Sequence, residues 1–230
     1  MLQQTQVARV IEKYPAFLTV FPDFPALAQA PLAKVLKIWS GMGYNRRALA
    51  LRALAQKIVS EHRGKLPSDP AELVQLPGIG PYTAGAIAAF AFNRPVIVLD
   101  TNIRRALIHE FFADRQGIRD DEIVPLIDRT LDRANPRKWY NALMDYGAML
   151  KTEQGNPNRR SAHYSRQTPF ENSDRQIRGG ILKVLVEGFP LTSAQIAERT
   201  GRGPERVKKG LVQLVSEGFI IQRRGRYLIA

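Results

Sequence analysis

Between residues 76 and 92 the chain reads LPGIGPYTAGAIAAFAF, and this segment constrains the fold more than any other. Pro77 and Pro81 with Gly78 and Gly80 stop one helix and start another. The alanines and Gly85 that follow suit a helix with closely packed neighbours. A Pro-Gly-x-Gly turn leaves backbone N–H groups unshielded at a helix start. There Gly78 and Gly80 let an anion reach the main chain and the helix dipole favours it. The same residues also suit a plain tight turn, so the segment alone does not choose between anchoring and packing.

The rest of the first half follows a helical period. Apolar residues recur at three and four in Val7, Val10, Ile11 and Tyr14, in Leu32, Val35, Leu36 and Trp39, and in Leu49, Leu51, Leu54 and Ile58. Turn signals separate these runs: FPDFP at 21–25, SGMGYN at 40–45, HRGKLPSDP at 62–70 and NRP at 93–95. Further helices are expected from Arg104 to Phe112, Asp121 to Arg133 and Trp139 to Leu150, giving a compact helical bundle. Residues 151–172 are polar, basic and poor in aliphatics, which reads as a linker or extended arm. Beyond it, helices are expected over Asp174 to Glu187, Ala194 to Thr200 (capped by Thr192 or Ser193) and Gly203 to Glu217. Two short strands then turn at Arg223, Arg224 and Gly225. Helix, helix, helix, hairpin is the order of a winged helix-turn-helix, whose third helix enters the major groove. Arg206, Lys208 and Lys209 on that helix, with Arg223 and Arg224 on the wing, are the expected DNA contacts.

Charge supports a polyanionic partner. The 230 residues carry 34 Lys and Arg against 21 Asp and Glu, a net +13, with the higher density in the last third. Zero cysteines exclude disulfides, thiolate zinc sites, a cysteine nucleophile and a cysteine-ligated iron–sulfur cluster. His62, His109 and His163 lie too far apart for ligand spacing, and neither a Walker loop nor a nucleophile elbow occurs. No run of about 18 apolar residues and no signal-peptide pattern is present, so a cytoplasmic or nucleoid-associated protein is expected, with no membrane partner.

About twenty residues after the glycine turn comes VIVLDTNIRRAL. Asp100 follows an apolar run expected to be buried and precedes a helix, where a carboxylate caps free N–H groups. This turn and aspartate at this interval resemble the helix-hairpin-helix, Gly/Pro-rich-loop and aspartate (HhH-GPD) DNA glycosylases. MLQQTQV at 1–7, WSGMGYNRRA at 39–48 and MDYGAML at 144–150 narrow the resemblance to MutY-type adenine DNA glycosylases. It implies an all-α helix-hairpin-helix glycosylase domain over 1–150, to which composition and element order add a basic linker over 151–172 and a small C-terminal winged helix over 173–230. It also implies excision of a mismatched base, most simply adenine opposite guanine or 8-oxoguanine, by a monomer acting on double-stranded DNA. Asp100 would stabilise the oxocarbenium-like sugar, supported by Asn102, with Tyr82 beside the sugar. Gln3, Gln4 and Tyr44 would enter the base stack, while Arg46, Gly78, Gly80 and Thr83 would contact DNA. Lyase-competent relatives carry lysine where Tyr82 stands, so a monofunctional enzyme is expected, needing no metal or nucleotide cofactor.

The chain departs from that pattern in three places. The family's catalytic glutamate lies just upstream of MLQQT, so a longer native N-terminus is expected. Lys151 and polar residues stand where four cluster cysteines usually follow, and Arg159, Arg160 and Arg166 are candidate phosphate contacts there. Residues 173–230 do not resemble a Nudix-like module. A T·G or U·G mismatch glycosylase and a non-catalytic DNA-binding regulator are the alternatives.

Overall fold

A computed structural model describes residues 1–165 and 169–230. Helices are α1 (Val7–Val20), α2 (Phe24–Gln29), α3 (Leu32–Trp39), α4 (Arg46–Glu61), α5 (Pro70–Leu73), α6 (Pro81–Phe90), α7 (Thr101–Phe111), α8 (Asp120–Thr130), α9 (Pro136–Glu153), α10 (Asp174–Leu185), α11 (Ser193–Thr200) and α12 (Pro204–Ser216). Strands β1 (Ile220–Arg223) and β2 (Arg226–Ile229) end the chain. None of these helices is long and apolar enough to cross a membrane. Contacts divide the chain into two compact units: Met1–Lys65 with Thr168–Ala230, and Leu66–Gln167.

In the first unit, one apolar cluster joins Phe17, Phe21, Leu27, Val35 and Trp39 to Ile181, Leu185, Leu211 and Phe219. The Phe17 and Phe21 rings sit 4.9 Å apart, and Phe17 meets Trp39 edge-on at 6.2 Å. The helix α1 expected from its periodicity is present, but its buried face is Val10 and Phe17. Val7, Ile11 and Tyr14 are exposed, because two overlapping apolar stripes on this helix satisfy the same period. At the C-terminal end, Thr192 and Gln195 form a capping box on α11, and Gly201 closes that helix in the left-handed region. The hairpin pairs Ile220 with Ile229 and turns through Arg224 and Gly225, both at positive φ, as a two-residue turn requires. Backbone bonds between Leu191 and Tyr227, at 3.0 and 2.7 Å, tie it back to the chain before α11.

The second unit is built on α7, whose Ile103, Leu107 and Ile108 pack with Ile118, Ile123, Ile127 and Tyr140. The Tyr140 hydroxyl accepts from Val98 N–H at 2.9 Å and donates to Val96 C=O at 2.7 Å, pinning the segment before Asp100. Burial pushes that phenol up to about 12. Of the VIVL run only Val98 is fully buried. Ile97 is 38% exposed, since an extended segment lying on one surface covers only alternate side chains.

The expectation of a linker from residue 151 needs correction. Helix α9 runs to Glu153, a 3-10 turn covers Pro157–Arg160, and Asn158 and Ser161 are buried. Amides and backbone do the packing that aliphatics usually do. Ile118 N–H donates to Arg160 C=O at 3.0 Å, and Ala162 N–H to Ile118 C=O at 2.8 Å. Arg166 lies outside the described residues.

Candidate active site and nucleic-acid interface

Asp100 is the N-cap of α7. Its extended backbone aims one carboxylate oxygen, Oδ1, at the N–H groups of Asn102 and Ile103, both at 2.8 Å. Such a cap is worth about 1 kcal/mol. Both bonds use the same oxygen, so Oδ2 has no hydrogen-bond partner among the described residues. The half-buried carboxylate therefore has one oxygen fixed by the helix and the other open to a developing positive charge.

Asn102 is held in turn by Arg105, one turn further along α7 and only 4% exposed. The Arg105 guanidinium donates to Asn102 Oδ1 at 2.7 Å, Gly147 C=O at 2.5 Å and Asn156 Oδ1 at 3.1 Å. Burial lowers its pKa, opposed by the field of Asp100. Asn158 Nδ2 donates to Thr101 C=O at 2.7 Å, and Arg160 donates to Ile108 C=O at 3.2 Å. Arg160 thus ties one guanidinium N–H to the fold. Gly147, the glycine of MDYGAML, lets α9 reach α7: a Cβ there would lie 2.1 Å from the Asn102 carbonyl oxygen. Sequence reasoning missed Arg105, Asn156 and Asn158. The spacing of Asn102 and Arg105 on one helix face was the available signal.

The glycine turn has its expected form. Asp69 caps α5, Gly78 takes φ +75°, and Gly80 is the N-cap of α6 with Pro81 as first residue. Both glycines are exposed, and a Cβ at Gly80 would meet nothing within 4 Å. Gly85 lies close beneath the segment before Asp100, its Cβ position 3.3 Å from Ile97 O and Val98 Cγ2. Tyr82 and Thr83 are half-buried on the first turn of α6, with Tyr82 against the apolar cluster around α7.

In the other unit, Gln4 and Tyr44 share an uncommon backbone: both have positive φ, 55° and 46°. Gln3 and Gln4 are exposed in the turn before α1, and Tyr44 is 38% exposed in the turn before α4. Trp39 Nε1 donates to Gly43 C=O at 3.0 Å, and Arg175 reaches the Tyr44 hydroxyl at 3.4 Å. Arg46 is not a free cation. Its guanidinium grips Glu217 through two bonds, at 2.9 and 2.7 Å, and Arg178 shares that carboxylate. The Arg46 bonds chiefly hold the Glu217 carboxyl at about 2. The neighbouring Arg47, unremarkable as one of two adjacent arginines, carries far more contacts than Arg46.

On α12, Lys209 pairs with Asp174 at 3.0 Å, and Arg206 meets the same carboxylate at 3.5 Å and Asn172 C=O at 2.6 Å. Lys208, Arg223 and Arg224 are exposed. Among the described residues no group of three or more His, Cys, Asp or Glu side chains is placed to hold a metal ion.

Residues 1–125 match the HhH-GPD superfamily base excision DNA repair protein family. An adenine DNA glycosylase of Mycolicibacterium smegmatis is 34% identical over 250 residues, covering all of this chain and 85% of that protein. The adenine DNA glycosylases of Buchnera aphidicola subsp. Baizongia pistaciae and of Homo sapiens are each 39% identical, over 65% and 67% of this chain. The chain spans only 43% and 29% of those two proteins. Among solved structures, a thermostable thymine-DNA glycosylase matches with a TM-score of 0.58 at 21% identity, covering 68% of this chain and 73% of that one. A trapped endonuclease III–DNA covalent intermediate matches at 0.51 and 19%, over 76% of each chain. These two share the fold. With a family match over more than half its length and a 34% identical relative that aligns with all of this chain, the chain belongs to the HhH-GPD superfamily of base excision DNA repair proteins.

Proposed function

We propose that this protein is a DNA N-glycosylase that removes adenine mispaired with guanine or 8-oxoguanine. The single observation that carries the reading is Asp100, with one carboxylate oxygen committed to its helix and the other open. As the C1′–N9 bond breaks, the sugar gains positive charge, and a fixed carboxylate beside it lowers the barrier. Water then adds at C1′, giving the free base and an abasic site. Tyr82 offers no amine for a Schiff base, so the reaction ends there without strand cleavage. Asn102 keeps the α7 start in shape. Gln3, Gln4 and Tyr44 fill the stack that the extruded nucleotide leaves, offsetting the few kcal/mol of unstacking. The main chain at Gly78 and Gly80, with Thr83, holds a backbone phosphate.

The order of α10, α11, α12 and hairpin supports a winged helix over 173–230, following a glycosylase module over 1–150. Lys208, Arg223 and Arg224 then contact DNA directly, while Arg46, Arg206 and Lys209 do so by exchanging a carboxylate for a phosphate. A monomer in the cytoplasm or nucleoid accords with this reading. The test is single-turnover base release, read by alkali cleavage of duplexes carrying A·8-oxoguanine, A·G, T·G and U·G, with protein expressed from its complete reading frame. Release of adenine that Asp100→Asn abolishes is the expected result. Release of thymine or uracil would reassign the base, and tight salt-sensitive binding without release would make this a binding protein.

A further inference from the structure

We propose that Arg47 is the positioning residue for both stack-entering turns, setting Gln4 and Tyr44 in one geometry; this rests on the glycosylase reading above. Arg47 is the second residue of α4, and its side chain reaches into the fork between two loops. Nη1 donates to Met1 C=O at 2.8 Å and to Gln3 C=O. Nη2 donates to Thr5 Oγ1 at 2.7 Å, Met42 C=O at 3.0 Å and Gly43 C=O at 3.2 Å. These acceptors bracket the two left-handed residues: Gln3 and Thr5 flank Gln4, and Gly43 precedes Tyr44.

The guanidinium plane also lies against two rings, with Cζ 5.2 Å from the Trp39 centroid and 5.6 Å from that of Tyr44. One planar cation thus reads the carbonyls of one loop, the carbonyls of the other and the ring that projects from the second. Among the described residues its buried Nε has no hydrogen-bond partner, and burial lowers the guanidinium pKa, a cost that packing alone would not require. A lysine has neither the fork nor the plane to replace it. With Arg47 gone, Gln4 and Tyr44 are released together from backbone states that side chains rarely adopt.

The test places 2-aminopurine beside the mispaired adenine and follows its stopped-flow fluorescence, which rises when the base unstacks. The wild type and Arg47→Lys are compared at a temperature where circular dichroism shows both folded. Arg47→Lys is expected to slow or erase the fluorescence rise and to cut single-turnover release by about 100-fold, the cost of a misplaced positioning group. Affinity for fully paired duplex should stay within about twofold, since phosphate contacts carry it. Thr5→Val, which removes one acceptor, should show a smaller loss of the same kind and serves if Arg47→Lys does not fold. An unchanged rise in the folded variant, or equal losses on mispaired and paired duplexes, would overturn the assignment and make Arg47 a packing residue only. Asp100→Asn separates the two readings: it should keep the rise and lose release. If the wild type shows a rise that Arg47→Lys removes but releases no base, positioning stands and the glycosylase reading falls. A wild type with no rise on any duplex overturns positioning.

Discussion

Asp100 and Tyr44 are held in opposite ways. The aspartate has extended backbone that any residue adopts, caps a helix as its residue type prefers, and rests on a helix fixed by Arg105, Gly147, Asn156 and Asn158. The tyrosine stands at φ 46°, partly exposed, in a conformation costing about 1–3 kcal/mol that Arg47 stabilises from outside the turn. A charge acts best when it cannot move, and immobility comes from relaxed, redundant contacts. A wedge, the part proposed for Tyr44, must stand clear of the surface, so the packing that would hold it is the packing it has to give up.

Four experiments sharpen or break this contrast. The largest effect is expected from Asp100→Asn: asparagine caps as well as aspartate, so the melting temperature should hardly change. Excision should nevertheless slow by at least about 100-fold, near 3 kcal/mol of barrier, as when other fixed electrostatic groups are removed. Comparable single-turnover rates would remove Asp100 from the chemistry. Next, Gly147→Ala drives a methyl into the Asn102 carbonyl and should cost about 3 kcal/mol in denaturant unfolding. A loss under about 1 kcal/mol would show that α7 can yield.

The Glu217 bridge should matter less. Its folded pKa, about 2, lies below the ordinary carboxylate value, so its stability is fully present above about pH 4.5 and is lost as pH falls toward 2. With Arg46 largely solvated the bridge contributes only weakly. Melting curves of the wild type and Glu217→Gln should differ at pH 6 and converge near pH 2; a constant gap would mean that packing, not charge, sets the difference. The last is Tyr44→Asn, since asparagine tolerates the left-handed region. Unfolding free energy should stay level or rise by up to about 1 kcal/mol, while mispaired duplex loses more affinity than paired. A loss of about 2 kcal/mol would make the ring part of the core.

The longer helices, the hairpin and the Asp100 cap were legible because each has a local cause: apolar period, turn residues, or a capping side chain ahead of a helix; the short α2, starting inside the FPDFP turn signal, was not. The buried face of α1 was not, because Val7 and Ile11 fit the period as well as Val10 and Phe17, and only tertiary packing chooses between them. Nor was the packing of residues 154–162, since buried amides look like solvated ones until their partners are known. Arg47 was hidden for a related reason. Nothing local distinguishes it from Arg46, yet one arginine binds a carboxylate near the surface and the other holds two loops.

The stretch that anchors α7 through Asn156 and Asn158 has one more property. Carboxamides neither gain nor lose protons over the range in which proteins live, and they hold no sulfur for an oxidant to attack. The Asn158 contact with the Thr101 carbonyl joins two neutral groups and is little weakened by salt, unlike the Arg104–Asp120 ion pair on the same helix. The Asn158 part of the anchorage should therefore be indifferent to acidity, ionic strength and thiol oxidants, whereas the Arg104–Asp120 pair on the same helix should weaken in acid and salt. Oxidative stress, which creates damaged bases, would leave that amide contact untouched.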